Sequence, residues 1–186
     1  MKKFLAIVLA LAVVFSFGAF AIAADEVTGT LADGTAVTKP VSEVAFSVED
    51  GLKALEELDK EKADELKAFF AKFDENEDIE VIAEGIVNFD GAFAECTEDE
   101  IIVPIAVAGV KAGDKVGVSL SNGTSAVAEC EEDGFVPVAV PKDAENLGYV
   151  ISAAKEETMP DGTTWTTFTD GNGEDTTSSS SPAVKG

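Results

Sequence analysis

Ala126-Val127-Ala128-Glu129-Cys130, continuing through Glu132-Asp133 into Val136-Pro137-Val138-Ala139-Val140, echoes an earlier stretch of the same chain. The earlier copy runs Ala92-Phe93-Ala94-Glu95-Cys96, then Glu98-Asp99, then Val103-Pro104-Ile105-Ala106-Val107. Successive side chains on a strand point to opposite faces. As strands, Ala92, Ala94 and Cys96 share a face, as Ala126, Ala128 and Cys130 do. Val103, Ile105 and Val107 likewise match Val136, Val138 and Val140. The two copies therefore predict the same buried surface in the same register.

Working outward, the first unit reads as strands 80–88, 92–96 and 101–107, and the second as strands 115–120, 124–130 and 135–140. A seventh strand over 147–153 follows. Asp90-Gly91 and Asn122-Gly123 fall between strands and predict turns, and the Asn-Gly pair favours a type I′ hairpin. Pro104 and Pro137 occupy matching positions and cannot donate to a ladder, so their strands are expected at edges or bulges. The expected fold is mainly β: an antiparallel, immunoglobulin-like β-sandwich over 79–158, built from a duplicated three-stranded unit plus the seventh strand. The antibody Cys-Trp-Cys pattern is missing, because Trp165 lies after both cysteines.

The preceding segment, 24–78, predicts short strands at 27–31, 35–38 and 41–46, turning at Asp33-Gly34. An amphipathic helix follows. Ser47 is placed to cap it, with Asp50 three residues on, and Leu52, Leu55, Leu58, Ala63, Leu66, Phe69, Phe70 and Phe73 recur at helical spacing. This stripe predicts a lid on the protein's own sheet, with a possible break near Asp59. Residues 159–186 are rich in Thr, Ser, Gly and Asp. They predict a flexible tail, with one further strand at 163–169.

The first 23 residues read as a signal peptide: Lys2-Lys3, then an uncharged run from Phe4, then Ala21-Ile22-Ala23 as a small-x-small cleavage pattern. The run is also long enough for an uncleaved membrane segment. The chain is expected to be exported, to a periplasmic, cell-surface or secreted location. Among 186 residues, 36 are acidic and 13 basic. Two of the lysines and none of the acids lie in the leader, so the remainder carries −25. Such a field repels phosphate polymers, and nucleic-acid binding is excluded. The chain contains no histidine, arginine or glutamine. That removes Ser-His-Asp and Cys-His nucleophiles, the usual zinc sites and bidentate phosphate clamps.

Cys96 and Cys130 are candidates for a disulfide, because an exported chain with two equivalent cysteines favours one. A thiol chemistry is disfavoured by the glutamates beside both. Glu98, Asp99, Glu131 and Asp133 are candidate ligands for a hard cation such as Ca2+, if the acidic turns meet at one end of the sandwich; no other cofactor is expected. Asp74-Asn76-Asp78 begins like a calcium loop, but Ile79 and Gly85 occupy positions that need glycine and a bidentate acid. Asp170, Asn172 and Glu174 give a second partial match. Carboxylate catalysis has no discriminating signal among so many acids, and no catalytic residue is assigned. Tyr149, Trp165 and Phe168 are the aromatic residues to test for a sugar platform, which one Trp and one Tyr supply poorly. Asn122-Gly123-Thr124 matches a glycosylation acceptor that a hairpin also explains. The expected function is a non-catalytic structural or interaction module of the bacterial envelope with a protein or envelope partner. A cation- or small-ligand-binding protein is the alternative.

Overall fold

The computed structural model describes residues 25–180. The signal peptide expected at 1–23 and the last six residues of the expected tail lie outside them. The fold is mainly β, and every strand pairing is antiparallel.

At the centre lies a five-stranded sheet of β3 (Ala45–Phe46), β4 (Val81–Val87), β9 (Leu147–Ala153), β6 (Lys115–Leu120) and β7 (Ser125–Glu129), in that order. Its inner face presents Val87, Leu147, Tyr149, Ile151, Val116, Val118, Leu120, Ala126 and Ala128 to the main core. Opposite it lies a two-stranded ribbon of β5 (Glu100–Ala106) and β8 (Phe135–Pro141), whose Ile101, Val103, Ile105, Val136, Val138 and Val140 complete that core. The ribbon pairs Ile101 with Val140, Val103 with Val138, and Ile105 with Val136, so Pro104 lies directly across from Pro137. Opposed residues in an antiparallel pair exchange both backbone bonds or neither. Two prolines fit only where neither is exchanged, so the ladder loses nothing by them.

Within unit one, the expected strand at 92–96 is not formed. Residues 89–96 instead make successive turns, with Ala92 N–H donating to Phe89 O, Ala94 N–H to Gly91 O and Cys96 N–H to Phe93 O. The space beside β5 is taken by a hairpin from the N-terminal segment, β1 (Glu26–Thr30) and β2 (Ala36–Pro40), through a Leu31–Cys96 bridge and a Thr97 N–H to Thr30 O bond. Residues 41–46, expected as a strand, are one helical turn, α1 (Val41–Val44), followed by the two-residue β3.

The helical stripe folds as two helices, α2 (Val48–Leu58) and α3 (Lys60–Asp74). Ser47 caps the first by accepting from Asp50 N–H, and Asp59 caps the second by accepting from Lys62 N–H. Leu55, Ala63, Leu66, Phe70 and Phe73 pack on Ile86 and Val150, which face outward from the central sheet. Leu58 belongs to the sequence stripe but is 85% exposed. It sits at the end of α2, where the non-helical Asp59 breaks the register.

Residues 159–180 are not a loose tail. β10 (Lys155–Thr158), β11 (Thr164–Thr169) and β12 (Asp175–Ser180) form a meander. It docks through Phe168, whose ring lies against the backbone of Gly117 on β6, where any side chain would collide with it. Lys72 on α3 donates to Asn172 in the β11–β12 turn (3.0 Å), and Lys115 pairs with Glu156 (3.3 Å). The tail expectation failed because threonine favours strands as well as linkers, and one buried phenyl ring anchors the unit.

The tight turns also differ from expectation. In a type I′ turn both central residues have positive φ, yet at Asn122-Gly123 only the glycine does (87°). Leu120 N–H donates to Thr124 O, and Asn122 Oδ1 accepts from Thr124 N–H at 3.0 Å. This is a wider, bulged loop held by its own amide side chain. The loops at Asp33 and Asp161 are built in the same way. The I′ geometry occurs at Asp90 (φ 48°) and Gly91 (φ 75°), where the following strand is missing.

Candidate functional site

β5 and β8 run antiparallel, so the acidic turns that precede them lie at opposite ends of the ribbon. Glu98 and Asp99 sit by the Glu100–Pro141 end; Glu131 and Asp133 sit by the Ala106–Phe135 end. Six strand steps separate those ends, about 20 Å at ~3.4 Å per residue. The four candidate ligands are therefore not brought together, and the premise of a shared cation at one end of the sandwich is corrected.

Two of these acids hold the fold instead. Glu98 Oε2 accepts from Thr30 N–H at 2.9 Å, tying β1 to the turn before β5. Asp133 Oδ1 accepts from Ala112 N–H at 3.0 Å while its Oδ2 pairs with Lys111 Nζ at 3.3 Å. Burial, then the nearby Glu129 and Glu132, push the Glu131 carboxyl upward. Asp99 contributes its carbonyl, which accepts from Lys142 N–H. The partial calcium loops are also turned on themselves. Asn76 Oδ1 accepts from Asp78 N–H, and Asp170 Oδ1 accepts from both Asn172 and Glu174 N–H. Among the described residues, no group of three or more His, Cys, Asp or Glu side chains is gathered as a metal site.

The expected disulfide is not formed: Cys96 and Cys130 are free, buried thiols. The same antiparallel arrangement explains it. Cys96 is held at the end where Lys142 Nζ donates to its carbonyl (2.6 Å). Cys130 exchanges backbone bonds with Gly113 and Asp114 near the other. Burial raises both thiols, that of Cys130 to about 11 with the help of Asp114 and Glu129. Thiols held neutral are poor nucleophiles and poor metal ligands.

The three aromatic candidates separate by exposure. Tyr149 is 5% exposed in the main core, and burial, then Glu84, push its phenol up to about 12. Phe168 is 3% exposed, spent on docking the meander. Trp165, at 40%, stands on the outer face of β11. Sequence reasoning missed the surface around it, because that surface is completed by β12, within the expected tail. The expected strand at 163–169 already sets Trp165 and Phe168 on opposite faces; the signal left unread was the strand-favouring threonine of β12 (Asp175–Ser180).

No family model matches the chain, and neither a curated protein nor a solved structure is found similar to it. Among the described residues, no helix is long and apolar enough to cross a membrane.

Proposed function

We propose that this protein is an exported, non-catalytic structural or interaction module of the bacterial envelope. The observation that carries the proposal is the use to which its chemistry-bearing groups are put. Glu98, Asp133 and Asp170 accept backbone N–H bonds, and both cysteines are buried with their thiols raised. The signal-like leader supports export, and the −25 charge of the remainder supports solubility and repulsion from anionic polymers. An immunoglobulin-like sandwich in broad architecture is supported by the ribbon facing the five-stranded sheet across one core. A duplicated three-stranded unit is supported by the pairing of equivalent prolines across the ribbon. In that history, unit one gave up its middle strand to the β1–β2 hairpin.

Fractionation of cells producing the full chain, with mass spectrometry of the product, tests the proposal. The expected result is an extracytoplasmic protein beginning at Ala24 or Asp25. A full-length cytoplasmic product would overturn it.

A further inference from the structure

We propose that the outer face of the β10–β11–β12 meander binds an uncharged, ribbon-like polysaccharide of β-1,4-linked pyranose units, stacking on Trp165. The proposal rests on the exported-module reading and names the class of its partner.

The register defines the surface. Trp165 lies on the middle strand, between Glu157 on β10 and Ser179 on β12. In the next outward row Thr167 lies between Lys155 and Thr177. Scattered exposed apolar side chains are ordinary on a protein surface, and Leu58 at a helix end and Met159 at a turn fit that description. Trp165 differs in its place: the centre of a sheet face, with hydrogen-bonding groups on both sides. Neighbouring strands lie about 5 Å apart, which sets donors and acceptors on either side of the indole.

A pyranose ring matches this pattern. Its C–H face is apolar and can lie on an aromatic plane, while its rim carries hydroxyls that need donors and acceptors around that plane. Ser179 offers both; the Thr167 and Thr177 hydroxyls share one hydrogen bond (3.4 Å) and between them keep one proton and free lone pairs; Glu157 accepts and Lys155 donates. A stable protein partner fits less well, because it must bury about 800 Å² on each side, and Trp165 is the one large apolar side chain on this outer face. Charge narrows the ligand further. A polyanion would meet the field of a −25 chain, whereas a neutral glycan meets none.

Trp165 is the sole tryptophan, so emission excited selectively at the indole reports on this face alone. Chitohexaose or cellohexaose should shift the emission saturably, with a midpoint on the order of 1 mM. In native gels containing hydroxyethylcellulose or glycol chitin, the mature chain should be retarded. Trp165→Ala should weaken the retardation about tenfold or more, Trp165→Phe should keep part of it, and Thr167→Val with Thr177→Val should weaken it about threefold. Thermal melts matching the parent would establish that each variant is folded.

Unchanged emission with both hexasaccharides up to about 10 mM would overturn the proposal. So would a folded Trp165→Ala variant retarded like the parent, or a response confined to polygalacturonate. Light scattering that finds a dimer abolished by Trp165→Ala, without any sugar response, would assign the face to a second copy instead. Each of these failures leaves the exported location untouched, since fractionation reads that separately.

Discussion

Residues 92–96 and 126–130 match at four of five positions, yet one is a chain of turns and the other lies in a strand and its end. They differ at the second position, Phe93 against Val127. In β7, Ala126 and Ala128 face the core while Val127 is half-buried on the far side. A strand at 92–96 in the same register would put a phenyl ring on that far side. The turns instead bury Phe93 completely, edge-on to Phe89 with ring centroids 4.8 Å apart, and leave Ala94 exposed. Burying a phenyl ring contributes about 2–3 kcal/mol, while the turn bonds from Ala92, Ala94 and Cys96 N–H replace ladder bonds worth roughly 1 kcal/mol net each. One large side chain is enough to take a segment out of a sheet when another hairpin, here β1–β2, can occupy the space.

The largest expected effect lies at this position. Phe93→Ala should cost about 3–4 kcal/mol in urea unfolding, because it empties a filled site in the main core. Val127→Ala should cost less than about 1 kcal/mol, since its side chain already meets solvent. Equal losses would remove the physical distinction between the two stretches.

A smaller contrast lies in the thiols. A group whose folded pKa is raised above its ordinary value stays protonated in the fold while the unfolded chain deprotonates, so stability falls as pH rises between the two values. For Cys130 that window runs from its ordinary 9.0 to about 11. The loss across it should be on the order of 1 kcal/mol, and Cys130→Ala should remove it from the alkaline limb of a pH–melting curve. Cys96→Ala should flatten that limb less, because Lys142 lies close and offsets part of the shift. An unchanged limb in Cys130→Ala would place the alkaline loss elsewhere.

The smallest expected effect is that of calcium. With Glu98 and Asp133 engaged by backbone amides at opposite ends of the ribbon, Ca2+ at fixed ionic strength should leave the melting temperature unmoved. A saturable rise would require acids that gather elsewhere.

The strands were legible where period and punctuation agreed. β4, β6, β8 and β9 fall within a residue or so of their expected bounds, as do the Ser47 cap and the break at Asp59. What the residues did not carry was the way the strands combine. Parity specifies which face of a strand is buried but says nothing about whether two like strands run side by side in the same or opposite senses. Once β5 and β8 pair antiparallel about Pro104 and Pro137, every equivalent pair outside them moves to opposite ends. Both Cys96–Cys130 and the acidic turns were therefore misplaced for one reason. The meander was missed for another: a segment of threonine and serine scores as linker until the single ring of Phe168 is seen to dock on Gly117.

Pulsed EPR between nitroxides at Asp99→Cys and Glu132→Cys, in a Cys96→Ala, Cys130→Ala background, measures the separation of the two acidic turns. The antiparallel ribbon predicts a distance of at least about 20 Å with a single narrow distribution. A distance near 10 Å would bring the turns to one end of the molecule and contradict the antiparallel pairing of β5 with β8.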